Sequence, residues 1–126
     1  MKQIIRLAGS LGLSLFCLTA QAGSVVVVAN PAAGITMLTR DQVSQIFLAK
    51  ARVYPNGKPV APINQLDEGD IRRRFETSVL GKDSTQVRAY WTRLLFSGRT
   101  SLPKKVEDDK KVIDVVASDP TAIGYI

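Results

Sequence analysis

Ser24-Val25-Val26-Val27-Val28-Ala29, closed by Asn30-Pro31, is the stretch on which the fold turns. Four consecutive valines leave no polar face. β-branched side chains favour extended backbone, and a run without alternation reads as a strand buried on both sides, the kind found in parallel sheets. Asn30-Pro31 ends it, and the loop onward to Leu38 contains Gly34.

Helical signals follow. Thr39 caps a helix and Gln42 reaches back to it, as in a capping box. Val43, Ile46 and Phe47 form the apolar stripe, and the helix runs to about Lys50. Pro55-Asn56-Gly57-Lys58 is a turn, because Asn-Gly tolerates positive φ. Its flanks read as a short β-hairpin, with Tyr54 as an exposed aromatic. Val60 to Ile63 is the second main strand, and Pro59 and Pro62 point to an edge or an irregular path. Asp67 to Asp70 opens a helix with Ile71, Phe75 and Val79 on one face and Gly81 after its end. Asp83 or Ser84 caps the next, whose stripe is Val87, Trp91, Leu94 and Leu95. Glu107 to Ser118 is the last helix, its acidic start suiting the helix dipole and Val112, Val115 and Val116 facing inward. Asp119-Pro120 stops it, and Ala122 to Ile126 is a final short strand. The order predicts an α/β fold, a small and partly parallel sheet flanked by helices.

Upstream of the valine run the chain reads as an export signal. Lys2 and Arg6 make a positive start, Leu7 to Thr19 is apolar and uncharged, and Ala20-Gln21-Ala22 places small residues where a signal peptidase reads. The apolar run is shorter than the ~20 residues needed to span a bilayer. Residues 1–22 are therefore expected to be a cleaved signal peptide, and residues 23–126 a single domain. The only cysteine, Cys17, leaves with the signal, and the chain has no histidine. This removes thiolate chemistry, disulfides and the commonest general base. No nucleophile–base pair can be assembled, so the expectation is a non-enzyme with no cofactor and no metal. Removing Lys2 and Arg6 from the 17 basic residues leaves 15 against 11 acidic ones, a balance of +4. A basic surface favours anionic partners, and export argues against nucleic acid.

Ile46-Phe47-Leu48-Ala49-Lys50 with Tyr54-Pro55-Asn56-Gly57-Lys58-Pro59 resembles a stretch of periplasmic phosphate-binding proteins and their short relatives. Tyr90-Trp91 through Leu95-Phe96-Ser97-Gly98 resembles a second such stretch, and Pro120 to Ile126 a third. In order and spacing they cover nearly the whole mature chain. The resemblance implies one lobe of a type II periplasmic binding protein, localised in the periplasm and binding a small inorganic anion for a membrane transporter or sensor. Full-length members close two lobes on an oxyanion, and this chain has the length of one. The family's phosphate motif, Arg-x-Asp-Gly-Ser-Gly-Thr, falls over Gln65-Leu66-Asp67-Glu68-Gly69-Asp70-Ile71 when aligned on Phe75. Only Asp67 matches. Gln65 stands at the arginine position, Gly69 and Ile71 at the serine and threonine positions, and Glu68 and Asp70 add charge that repels an anion. The alternative is therefore an accessory, protein-interaction module of the cell envelope that has lost ligand binding. Neither reading involves nucleic acid or stable membrane insertion after signal cleavage.

On these grounds the ligand-binding candidates are Asn30, Asn64, Asp67, Gly69, Arg72 and Arg73. Asn30 follows the first strand, where parallel α/β sheets bind ligands; the same loop also reads as an ordinary strand-ending turn. Arg72-Arg73-Arg74 cannot converge, since neighbours on a helix point about 100° apart. They read either as an anion clamp, with Arg73 the favoured member, or as a solvated face paired with Asp67, Asp70 and Glu76.

Overall fold

The computed structural model describes residues 4–6, 16–19, 25–67, 69–98 and 102–126, the first two segments as backbone only. These two are short strands, β1 (Ile4–Arg6) and β2 (Phe16–Thr19). The rest of the expected signal peptide, and Glu68, lie outside the described residues. Strands β3 (Val26–Ala29) and β4 (Met37–Thr39) precede helix α1 (Arg40–Phe47). Strand β5 (Ala61–Gln65) leads into α2 (Asp70–Phe75), which runs on as a π-helical turn, Glu76–Leu80. Helix α3 (Ser84–Phe96), strand β6 (Lys104–Val106), helix α4 (Asp109–Ser118) and strand β7 (Ala122–Tyr125) complete the chain.

The fold is α/β, a small mixed sheet flanked by four helices. The sheet order is β3-β7-β5-β6, with the β2 backbone beyond β3 and β1 paired apart from it with β4. β5 runs parallel to both β7 and β6, whereas β3 runs antiparallel to β7, with Val27 opposite Tyr125 and Ala29 opposite Ile123. The valine run is buried on both faces, as its composition requires, but it is not a parallel strand. Side chains alternate across a strand. Val27, Ala29, Ile123 and Tyr125 therefore face one layer, with Val43 and Phe47 of α1 and Phe75 of α2. Val28, Ala122 and Ile63 face the other, with Val112 and Val116 of α4. Gly124 also faces α4: a Cβ there would stand 2.6 Å from Val112 Cγ1. Glycine lets α4 sit that close to β7.

The helix ends are set locally. Thr39–Gln42 and Asp83–Gln86 each form reciprocal capping boxes, and the Asp108 side chain accepts from the Lys111 N–H. Gly81 ends the π-helical turn at φ 66°, a left-handed conformation that costs glycine nothing. Helix α1 stops at Phe47 rather than near Lys50. Pro62 sits in an inner strand, at a point where the edge strand has not begun: β5 pairs with β7 through Ala61 and Pro62 and with β6 only from Ile63 on. The missing N–H of Pro62 therefore costs no ladder bond on that side. The expected hairpin around Asn56-Gly57 shrinks to one bridge, Val53 to Pro59. Its turn docks on the Asn30–Gly34 loop, with Asn56 Nδ2 donating to the Ala33 carbonyl at 2.8 Å and Lys58 Nζ to that of Ala32 at 3.1 Å. That docking covers Tyr54. It is buried, not exposed, and burial holds its phenol well above the ordinary range.

Candidate functional site

The antiparallel course of β3 splits the candidate residues. Asn30, after Ala29, lies beside Ala122 at the start of β7. Asn64 lies at the opposite end of the sheet, where its Oδ1 accepts a hydrogen bond from the Tyr125 hydroxyl at the end of β7. About 10 Å of strand separates the two ends. Asn30 is also fully employed. Its Nδ2 donates to the Val116 carbonyl at 2.8 Å and the Ala117 carbonyl at 3.3 Å, and its Oδ1 accepts from the Ala32 N–H at 2.9 Å. It ties the end of α4 to the 3-10 turn Pro31–Ala33 and takes no part in the site. The parallel-sheet rule that pointed to it does not apply to a strand running the other way.

The end of β5 is where the chemistry gathers. Tyr125 stacks on Phe75 with ring centroids 3.9 Å apart and 6° between planes, and Phe47 meets it edge-on. Its hydroxyl also accepts the Gln65 N–H at 3.1 Å, and burial raises its pKa above the ordinary phenol value. Gln65 Nε2 donates to the Tyr125 carbonyl at 3.0 Å and to Asp109 Oδ1 at 2.8 Å. Gln65, at the position of the motif arginine, thus joins β5 to β7 and α4.

Arg72 is the arginine that matters, not Arg73. Its side chain is 8% exposed. Nε donates to Glu76 Oε2 at 3.1 Å, and Nη1 donates to the Gln65 carbonyl at 3.0 Å and to Asp67. Glu76 is itself buried and takes a further bond from Ser84 Oγ at 3.0 Å. Among the described residues no sealed side-chain nitrogen or oxygen is without a partner. Arg72 Nη2 makes no hydrogen bond to them. Arg73 is exposed and pairs with Asp70. The expected local pairs, Asp67, Asp70 and Glu76, are those observed, but Arg72 is buried where a solvated face was the alternative.

Arg72 lines a cleft of about 190 Å³ bounded by the end of β5, α2, α3 and the approach to β6. Its polar lining includes Asn64, Asp67, Arg72, Glu76, Arg88 and Lys105. Lys105 Nζ lies 2.9 Å from Asp67 Oδ1, and this contact, with Arg72 beside it, holds the Asp67 carboxyl below its ordinary value. Arg88 belongs to α3, and its guanidinium has no hydrogen-bond partner among the described residues. The lining also has an apolar part: Val87, Trp91, Leu95, Leu102 and Pro103. Among the described residues three cations, Arg72, Arg88 and Lys105, line it against two carboxylates, Asp67 and Glu76, a balance of +1. Helix α3 buries only part of its stripe here. Val87 and Trp91 are covered, whereas Leu95 is 42% and Phe96 88% exposed.

Of the candidates, the cleft brings together Asn64, Asp67 and Arg72. Gly69 caps α2 without lining the cleft. Sequence reading missed Arg88, Lys105 and Ser84 as site members. The Arg72–Glu76 spacing of i,i+4 was a usable signal. For Lys105 there was none, because short β6 carries no strand pattern of its own. Among the described residues there is no group of three or more Asp, Glu, His or Cys side chains able to hold a metal, and no helix long and apolar enough to cross a membrane. No family model matches the chain, and neither does any curated protein or solved structure.

Proposed function

We propose that this chain is an exported, single-lobe solute-binding protein of the phosphate-binding-protein kind. It binds a small anion weakly at the Arg72 cleft, without chemical turnover, and serves a membrane transporter or sensor in the periplasm. Export rests on the signal-like segment Met1 to Ala22 and the kinship on the resembling stretches. The observation that carries the binding role is the state of Arg72. Three acceptors fix its guanidinium; among the described residues one of its nitrogens and the Arg88 guanidinium, on the same cleft, have no partner. A fixed donor loses little entropy on binding. One open nitrogen in a solvated cleft gives modest affinity, in about the millimolar range. Titration calorimetry with phosphate, sulfate and acetate tests this. Saturable heat at millimolar ligand, weakened at least threefold by Arg88→Ala, is expected. Silence from every anion at that concentration sinks the proposal.

A second reading is favoured by one observation, the exposure of Phe96 and Leu95 at the end of α3. An envelope protein docking there would make the lobe an accessory module. Pull-downs from envelope extracts with the native chain and Phe96→Ser separate the two: a partner lost with Phe96 supports docking, and no specific partner removes it.

A further inference from the structure

We infer that the ligand of the Arg72 cleft is an organic monoanion, a carboxylate on a short hydrocarbon body, and not a bare inorganic oxyanion. This rests on the anion-binding reading above and goes beyond it in naming the ligand class. Three features of the cleft point the same way. First, its charge suits a single negative group. Among the described residues the lining balance is +1, and the two carboxylates, Asp67 and Glu76, stand against a second charge on the ligand. Second, part of the donor set is already committed. Arg72 Nε and Nη1 are spent on Glu76, Asp67 and Gln65, and the Lys105 ammonium is held on one side by Asp67. A planar guanidinium such as that of Arg88 matches the two oxygens of a carboxylate as a bidentate pair. Third, Val87, Trp91, Leu95 and Leu102 give the cleft apolar lining beside its charged groups, the pairing of apolar surface with a few placed polar groups that marks small-molecule sites. At about 190 Å³ it falls below the roughly 300 Å³ where pockets for drug-sized ligands begin, which limits the body to a short chain or one ring.

The chain has one tryptophan, Trp91, and it is part of that apolar lining. Its fluorescence therefore reports occupancy. The purified chain is titrated with acetate, butyrate, hexanoate and inorganic phosphate, with calorimetry in parallel. Each added methylene that reaches this lining is expected to tighten binding about fourfold, so hexanoate binds at least tenfold tighter than acetate or phosphate. Leu95 is half exposed, and Leu95→Asn, which removes apolar lining without adding charge, is expected to flatten the series to under threefold. An affinity flat with chain length, or phosphate matching hexanoate, overturns the inference and leaves the anion-binding reading standing. Silence of all four ligands in both measurements overturns both.

Discussion

Arg72 and Glu76 are a buried ion pair, and burial makes each indispensable to the other. Taking a charge out of water is expensive, and removing one partner strands the second. Arg72→Ala is expected to destabilise the chain by about 3–5 kcal/mol, read as a lowered urea midpoint with an unchanged slope. A loss under ~1 kcal/mol would mean that Glu76 finds other donors. Asp67 answers to a different force. Its side chain is 56% exposed, so solvent screens it, and the direction is the informative part. Its carboxyl is held below the ordinary value of 3.8, chiefly by the Lys105 hydrogen bond. A depressed carboxylate adds stability that is present above the unfolded value and is lost as pH falls through the folded one. Lys105→Met is expected to raise the Asp67 titration midpoint, followed by carboxyl NMR, and to remove part of this acid-side dependence. An unmoved midpoint would reject the assigned cause.

At the scale of elements, the tightest approach is α4 on β7. Gly124→Ala places a methyl group 2.6 Å from Val112 Cγ1, and overpacking of this kind costs about 1–3 kcal/mol. Val112→Ala opens a cavity but also clears that space. The double variant is expected to lose less than the sum of the singles by about 1 kcal/mol in denaturant unfolding, and strict additivity would show that the two do not meet. The secondary structure was legible wherever a local device specifies it. The Thr39–Gln42 and Asp83–Gln86 boxes and Gly81 act within one turn of their own helix. Strands β4 and β6 were not legible. Each has three residues, too short for a period, and their extended form is imposed by the neighbours they pair with.

Across the whole molecule the two faces of the sheet are closed separately, and Tyr125 and Tyr54 are sealed into the layer of α1 and α2. The three tyrosines all have pKa values raised above the ordinary 10.0, burial being the first cause in each. For a phenol with a raised folded value, the contribution to stability is complete below the unfolded value and is lost as pH rises past it. The melting temperature is therefore expected to fall above about pH 10, with phenolate absorbance from Tyr54 and Tyr125 appearing together with loss of the fold. Full ionisation of the tyrosines in a chain whose circular dichroism is still native would contradict the packing.

By itself the sequence determined the α/β class, the helices, most of their ends and the burial of Val27, Val28 and Ala29. These depend on residues a few positions apart, through side-chain periodicity and capping geometry. It also placed Asn64, Asp67 and Arg72 among the candidates, since these lie within nine residues of one another. Only the tertiary structure decided the direction of the valine strand, because burial on both faces is the same for parallel and antiparallel neighbours. That direction sends Asn30 to one end of the sheet and leaves the cleft at the other. Tertiary packing likewise buried Arg72 and left Arg73 exposed, buried Tyr54 in the core, and set Arg88 and Lys105 on one cleft with Asp67, far from both in sequence. Coulomb forces and desolvation act on distance in space, and in a folded chain that distance is created by pairing between remote strands.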